Sequence, residues 1–262
     1  DLVSGLQWHR VPEQRGFSSA QKLWSHVRTA EAMVAEGSYD IVHSHDKGFC
    51  GDVSTVHTFS FRKGMEGFSR LKKCMRYWCS PRALLYSHLE KRQAGSGHLA
   101  VVSELIKADV QDYQNRDRAI AVIPPGVDID FFAPGHVADR RAASRKAAGL
   151  RPDELTIVFV GSEFRRKGLD RLIPALGDGM RLFVVGAGQK LDYYQSLVES
   201  HGLENSVHFE GLQEDVFSYY ALADIVVLPS RTEAFGMTVL EAMACGLPVI
   251  TSREAGCADL ID

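Results

Sequence analysis

The chain has 262 residues, of which 45% are hydrophobic, so it can bury a substantial core in one large or two modest domains. Its net charge of −3 and pI near 6.4 argue against a general nucleic-acid binder. Five cysteines without a CxxC pair indicate neither a disulfide framework nor a zinc site. No stretch approaches the roughly 18 apolar residues of a membrane span, and we expect a cytoplasmic protein.

In the first part of the chain, short apolar segments typical of strands alternate with segments of helical periodicity. We predict strands near residues 2–11, 39–42, 52–56, 98–102 and 119–123, and helices over 19–36, 86–93 and 103–115. Ser18 or Ser19 is the expected N-cap of the first of these helices, and Ser103 is the expected N-cap of the last. Pro124, Pro125 and Gly126 then end regular pairing.

Histidines follow two of these predicted strands. His43 and His45, with Asp46, are residue types that bind zinc, but no third ligand follows at a recognised spacing, so we disfavour a metal site. His57 lies at the exit of its strand and is a better candidate for a substrate contact. A core or surface histidine explains that position equally well.

Residues 62–82 are strongly basic, with seven basic residues against one acidic residue and several aromatics between them. The basic residues are Arg62, Lys63, Arg70, Lys72, Lys73, Arg76 and Arg82. Such a helical mixture suits an anionic membrane surface, where each Lys or Arg is worth about 1 kcal/mol. A solvated basic face with core-packed aromatics fits equally well. No recognition module surrounds the segment, and we expect no nucleic-acid partner.

Residues 127–153 are predicted to form a connector with a short helix over 139–149, which divides the chain into regions 1–150 and 151–262. The second region again alternates strands (156–160, 181–185, 207–209, 225–228, 247–251) with helices (from 169, 191–200, 215–221, from 237). Apolar strands that alternate with helices predict a parallel sheet covered on both faces.

Two carboxylates mark the segment from Leu228 to Ser252. Glu233 precedes a helix that begins near Met237, and Glu241 lies about one turn inside it, so both can face one crevice. The amides of Phe235, Gly236 and Met237 at the helix start favour an anion such as a diphosphate. Taken singly, each glutamate also fits an ordinary helix residue.

Cations are expected at the same crevice. In VGSEFRRKG a strand ends at Gly161, and Arg165, Arg166 and Lys167 precede the next helix. Positive charge there would neutralise a leaving diphosphate. Basic residues after strands are also common on plain surfaces, and Lys167 alone fits either interpretation.

Several of these segments together resemble one family. EAFGMTVLE, VGSEFRRKG, LFVVGAG, VIPPGVDIDFF and VVSE are similar to segments of the retaining GT-B glycosyltransferases of family 4. The resemblance implies an α/β fold of two Rossmann-like domains with parallel sheets that face each other across a cleft. VGSEFRRKGLDR and SVHF further resemble the branch of the family that glucosylates the lipopolysaccharide core.

The resemblance also implies roles. Glu241 would bind the ribose of a nucleotide sugar, and Glu233 would meet the hydroxyls of the transferred sugar. Because Ser162 stands where many members carry Arg after the glycine matched by Gly161, the diphosphate would rely on Lys167 with Arg165 or Arg166. The further implied site residues are the amides of Phe235, Gly236 and Met237, which would line the sugar and diphosphate, and His57, which would face the sugar.

The implied activity is metal-independent retaining transfer of glucose from UDP-glucose to a lipopolysaccharide core or related glycolipid, without a cofactor, at the inner face of the cytoplasmic membrane. A GT-B nucleotide-sugar epimerase and a non-catalytic nucleotide-sugar binder are the alternatives. Relative to the family pattern, the chain starts at Asp1 without the family's first strand and glycine-rich loop. It stops at Asp262 without the family's last helices. We therefore expect a truncated chain with little transfer activity.

Overall fold

The computed structural model describes residues 9–12, 18–45, 51–65, 69, 80–95, 97–113 and 119–261. The chain divides into two compact units, Asp1–Ile123 and Pro124–Asp262. Each unit contains a sheet in which every neighbouring pair of described strands is parallel. This arrangement confirms the α/β class predicted from the alternation of strands and helices.

The first unit has a sheet of strand order β1-β2-β3-β4. Its described elements are α1 (Ser19–Glu36), β1 (His43–Ser44), β2 (Val53–Val56), α2 (Pro81–Gly95), β3 (His98–Val101), α3 (Glu104–Tyr113) and β4 (Ile120–Val122). Residues 9–12 are irregular, and the rest of the strand predicted over 2–11 lies outside the described residues.

Local sequence signals explain how several of these elements begin and end. Ser18 forms a capping box with Gln21 at the start of α1, and Gly37 follows its last turn, as predicted. The strand predicted over 39–42 begins later, at His43, because pairing with β2 starts there. The two large side chains before it, Tyr39 and Ile41, are 53% and 69% exposed and have no core face to occupy.

Two buried carboxylates fix the loop that leaves β2. Asp109 on α3 accepts from the Ser60 amide at 2.6 Å and from the Ser60 hydroxyl at 2.9 Å. Glu90 on α2 accepts from the Phe61 amide at 2.8 Å. Buried carboxylates are stable when such donors satisfy them, so these bonds hold the chain just after His57 against both helices.

The second unit has a sheet of strand order β7-β6-β5-β8-β9. Its elements are α4 (Pro134–Ala147), β5 (Leu155–Val160), α5 (Leu169–Leu172), β6 (Met180–Val185), α6 (Leu191–Ser200), β7 (Val207–Gly211), α7 (Phe217–Leu222), β8 (Ile225–Leu228), α8 (Met237–Ala244) and β9 (Val249–Thr251). The chain moves outward from β5 to β7 and then returns to β8 on the other side of β5. Because crossovers are right-handed, α5 and α6 cover one face, and α7 and α8 cover the other.

This strand order creates a switch point between β5 and β8, where consecutive connections leave in opposite directions. In open parallel sheets the ligand crevice lies at such a point, outside the carboxyl ends of the strands. The loops that follow β5 and β8 meet there, and they are the two segments in which the sequence places its candidate cations and carboxylates.

The boundary between the units differs from the expected one. The helix predicted in the connector begins earlier, at Pro134, and packs on α7 as part of the second unit, so the division lies at 123/124 and not near 150. Arg145 is the physical reason. This residue is 8% exposed, and its guanidinium donates to the carbonyl oxygens of Arg151, Glu154 and Leu222 at 2.8–3.0 Å.

We predict that Arg145→Met lowers the free energy of unfolding of the second unit by about 3 kcal/mol, because the carbonyls and the Asp224 carboxylate that it contacts lose a buried charged donor. The neighbouring exposed Lys146→Met should change it by less than about 0.5 kcal/mol. Tryptophan fluorescence would not report on the second unit, because Trp8, Trp24 and Trp78 all lie in the first unit. Hydrogen exchange of the β5 and β6 amides therefore measures the change in stability. Similar small effects of both substitutions would contradict this role of Arg145.

Candidate active site

Arg231 holds the loop after β8 against the loop after β5. Its guanidinium donates to both carboxylate oxygens of Asp170 at 2.6 and 2.8 Å and to the Arg165 carbonyl at 2.8 Å. Its amide donates to the Arg166 carbonyl at 2.8 Å. Arg231 could not be identified from the sequence, because its partners lie more than 60 positions earlier in the chain and no local spacing indicates them.

Lys167 reaches the crevice by lying across the end of β5. A Cβ atom at Gly161 would sit 2.2 Å from Lys167 Cδ and 2.7 Å from Nζ, so only glycine leaves room for this path. The ammonium lies 3.4 Å from the Val160 carbonyl and 3.8 Å from Glu233 Oε2. Gly161 therefore acts by letting the Lys167 side chain approach the strand end.

Arg166 joins the same cluster. Its guanidinium donates to Glu233 Oε2 at 3.0 Å and to the Thr232 carbonyl at 2.8 Å, and its Nε donates to Glu163 at 2.7 Å. The Glu233 side chain is only 13% exposed, and its Oε1 has no hydrogen-bond partner among the described residues. The structure thus brings together three residues predicted from the sequence, and it leaves one carboxylate oxygen available to a ligand.

Burial is the largest influence on Lys167 and lowers its pKa below the ordinary lysine value. The Glu233 carboxylate opposes that shift, while the Arg166 guanidinium adds to it. A partly buried ammonium beside a second cation is stabilised by any anion that enters the crevice. The pair formed by Lys167 and Arg166 is therefore suited to bind a diphosphate.

The start of α8 adds hydrogen-bond donors to the crevice. Gly236, the N-cap, has φ +106°, and a Cβ there would lie 3.0 Å from Cys257 Sγ, so both conformation and space favour glycine. The amides of Phe235, Gly236 and Met237 donate to no acceptor in the described part of the chain. Helix starts with free amides are suited to bind anions, and anion binding by this segment stays a prediction.

Glu241 lies on the second turn of α8, and its position is fixed by a buried tyrosine. The Tyr220 hydroxyl donates to Glu241 Oε2 at 2.6 Å, and Tyr220 is fully buried. Burial, together with Glu241, raises the pKa of Tyr220, so this phenol stays a donor. Tyr220 was not found from the sequence, because it lies on α7 within an ordinary apolar helix pattern.

Arg165 differs from its two neighbours. Its side chain lines a cavity of about 860 Å³ on the α6 side of the loop, together with Tyr193 and Tyr194. No ion pair or hydrogen bond joins its guanidinium to Glu233 in the described residues. Of the two arginines named as alternatives for the diphosphate, Arg166 is therefore the one that shares the crevice with Lys167 and Glu233.

In the first unit, His57 belongs to a row of three neighbouring imidazoles, in which it stacks on His45. His45 Nδ1 lies 2.7 Å from His57 Nε2, and the His43 and His45 ring centroids are 4.2 Å apart. Partial burial, followed by the charges of His45 and His43, lowers the pKa of His57. This row was not predicted as a unit, although each of the three histidines stood out in the sequence. Within the described residues, no group of three metal-binding side chains has geometry for a metal ion.

The basic segment is described only in part. Arg62 lies in a turn and Lys63 in a short 3-10 helix, Lys63–Met65, whereas Arg70, Lys72, Lys73 and Arg76 lie outside the described residues. None of the helices in the described part of the chain combines the length and hydrophobicity that crossing a membrane requires.

Comparisons with known families identify both parts of the chain. Residues 4–131 match the profile of "Glycosyltransferase Family 4", and residues 140–262 match that of "Glycosyl transferases group 1". The D-inositol 3-phosphate glycosyltransferase of Mycobacterium sp. (strain KMS) is 32% identical over 253 residues, which cover 88% of this chain and 55% of that protein. The lipopolysaccharide glucosyltransferase WaaG of Escherichia coli K12 is 31% identical over 224 residues, which cover 82% of this chain and 58% of that protein.

Solved structures give the same fold. The crystal structure of WaaG, a glycosyltransferase involved in lipopolysaccharide biosynthesis, matches with a TM-score of 0.83 at 25% identity and covers 100% of this chain and 72% of that one. The structure of Anabaena Alr3699/HepE in complex with UDP and glucose matches in fold, with a TM-score of 0.69 at 20% identity over 95% of this chain and 68% of that one. The chain spans just over half the length of the curated relatives that it matches.

Proposed function

The chain belongs to the GT-B glycosyltransferases that carry a family 4 domain and a group 1 domain, and from this premise we propose that it binds a nucleotide sugar in its second unit. The proposed reaction is transfer of the sugar, with retention of anomeric configuration, to a hydroxyl of a glycolipid acceptor. The epimerase and non-catalytic alternatives from the sequence gain no specific support from the site.

The observation that carries this proposal is the cluster of Lys167, Arg166 and Glu233 beside the free amides at the start of α8. Two cations and a helix start supply the charge that a leaving diphosphate needs, without a metal ion. Glu233, with one free carboxylate oxygen, is suited to accept hydrogen bonds from sugar hydroxyls. Glu241, held by Tyr220, is suited to accept one from a ribose.

In the proposed reaction, the acceptor oxygen forms a bond to the anomeric carbon on the face from which the diphosphate leaves. The bond between that carbon and the diphosphate oxygen breaks, and the acceptor proton passes to the departing diphosphate. Lys167 and Arg166 stabilise the negative charge that develops on the diphosphate, and loss of one such donor costs about 3 kcal/mol. His57 is proposed as a contact to the transferred sugar on the resemblance alone.

We propose UDP-glucose as the donor and a lipopolysaccharide core or related glycolipid as the acceptor. The names of two relatives support this choice, since one is a lipopolysaccharide glucosyltransferase and another structure contains UDP and glucose. Other relatives are named for D-inositol 3-phosphate, so the named acceptor differs between the relatives.

We predict that Lys167→Ala weakens UDP binding by about tenfold or more, because it removes a charge-assisted contact worth about 1.5–3 kcal/mol. Glu233→Gln should leave UDP affinity within about twofold but lower any transfer from UDP-glucose by about a hundredfold or more. Calorimetry with UDP and with UDP-glucose, in buffer containing EDTA, measures the binding part. The exposed Lys146→Ala is the matched control. Unchanged UDP affinity in Lys167→Ala would contradict the proposed diphosphate site.

We also propose that the basic segment binds an anionic membrane surface on the cytoplasmic side, where a glycolipid acceptor would be found. Replacing Lys72, Lys73 and Arg76 by Gln should weaken binding to vesicles that contain anionic lipid by about 1 kcal/mol per residue at low salt. Neutral vesicles serve as the control. Equal binding of the substituted and unsubstituted proteins would assign the segment to a solvated surface.

A further inference from the structure

We propose that the second unit has a separate binding site for a phosphorylated saccharide in the cavity on the α6 side of the loop after β5. The cavity has a volume of about 860 Å³, within the usual range of small-molecule sites, roughly 300–1,000 Å³. The residues that argue for this site are Arg165, Gln189, Lys190, Tyr193 and Tyr194. The inference goes beyond the proposed glycosyl transfer and does not depend on it.

The cavity carries positive charge that no described residue balances. Arg166 is paired with Glu163, and Arg231 is paired with Asp170, so the lining carboxylates are already engaged. The side chains of Arg165 and Lys190 are exposed and form no ion pair or hydrogen bond with any described residue. An arginine guanidinium and a lysine ammonium together suit a phosphate group, which the arginine can bind through two parallel hydrogen bonds.

The hydroxyl of an otherwise buried tyrosine opens onto the cavity without a partner among the described residues. Tyr194 is 3% exposed, lines the cavity, and donates no hydrogen bond to an acceptor in the described residues. The hydroxyl itself is not among the buried unpaired atoms of the described residues, so it is accessible from the cavity and can donate to a polar ligand there. The amide of Gln189, which is exposed at the same wall, supplies further donors and an acceptor.

The aromatic wall suits a sugar ring. Tyr193 is 54% exposed and lies with its ring centroid 5.1 Å from that of Tyr194, which in turn packs edge-on against Phe164 at 5.2 Å. The exposed Tyr193 ring is therefore supported by the buried rings of Tyr194 and Phe164. An amphipathic ring of this kind presents an apolar face to a ligand at low entropic cost.

The backbone at Lys190 is the fourth indication. Lys190 has φ +61°, and it is the one non-glycine residue with positive φ among the described residues. Such strain costs on the order of 1 kcal/mol or more and tends to occur at ligand sites. Lys190 is the N-cap of α6, and its side chain forms no capping hydrogen bond.

The proposed site is distinct from the crevice at the switch point. Arg166 lines both places, but Lys167, Glu233 and the start of α8 lie at the crevice alone, whereas Tyr193 and Tyr194 lie on α6, which covers the opposite face of the sheet. Arg165 and Arg166 are adjacent, but only Arg166 contacts Glu233. Substitutions of Arg165 and Tyr194 can therefore test the cavity separately from Lys167 and Glu233.

The test uses calorimetry with the whole chain and trehalose 6-phosphate as the probe, with trehalose, inorganic phosphate and UMP as comparison compounds. We expect trehalose 6-phosphate to bind more tightly than trehalose or phosphate. Arg165→Gln should weaken its binding by about tenfold, the loss expected for one charged hydrogen bond. Tyr194→Phe should weaken it by about threefold, because it removes one neutral hydrogen bond, without lowering thermal stability. UDP affinity should change by less than about twofold in both variants.

Lys146→Gln, on α4, is the matched charge control and should change neither affinity. Lys190→Gly is a second variant that should fold normally, because glycine accepts the positive φ while the substitution removes the cation. It should weaken the binding of trehalose 6-phosphate without lowering thermal stability. Failure of trehalose 6-phosphate to bind, or tighter binding of UMP through Arg165 and Lys190, would overturn the proposal. An equal loss of UDP affinity in Arg165→Gln would show that the cavity belongs to the nucleotide-sugar site. The UDP affinity of Lys167→Ala tests the proposed nucleotide-sugar site. Its outcome leaves the proposal for the cavity unchanged.

Discussion

The ion cluster of Glu233 with Arg166 and Lys167 is the interaction on which the candidate site depends. Glu233 follows β8, and both cations follow β5, so the cluster can form only because the sheet places these strands side by side. A carboxylate that is 13% exposed requires such partners. The same cations are suited to bind a phosphate group, so the free protein keeps its anion site charged and ordered by using its own glutamate.

Several constraints around the cluster keep it in place. Gly161 leaves the space that the Lys167 side chain occupies, and Arg231 ties the two loops through Asp170. At the other end of β5, Arg145 joins α4 to the sheet through buried carbonyls. Each of these contacts crosses from one loop or element to another, so the geometry of the crevice is a property of the whole second unit.

The sequence predicted the parts of this arrangement that depend on local patterns. Alternating apolar strands and helices identified the parallel α/β class, and the positions of Glu233, Glu241 and Lys167 after strands or inside a helix placed them at one edge of the sheet. Arg231 and Tyr220 could not be predicted, because each acts through a partner far away in the chain and no spacing marks the pair. The place of α4 in the second unit was missed for a similar reason. The partners of Arg145 just before β5 and at the end of α7 are far from it in sequence or carry no local pattern, and only the structure shows them.

The central claim is that the crevice between the loops after β5 and β8 binds the nucleotide sugar. Hydrogen exchange with and without UDP-glucose measures this directly, since ligand contacts and exclusion of water slow the exchange of the amides they cover. We predict that protection is concentrated in residues 161–168 and 233–241, including the free amides at the start of α8. Protection elsewhere, with these two segments unchanged, would contradict the assignment.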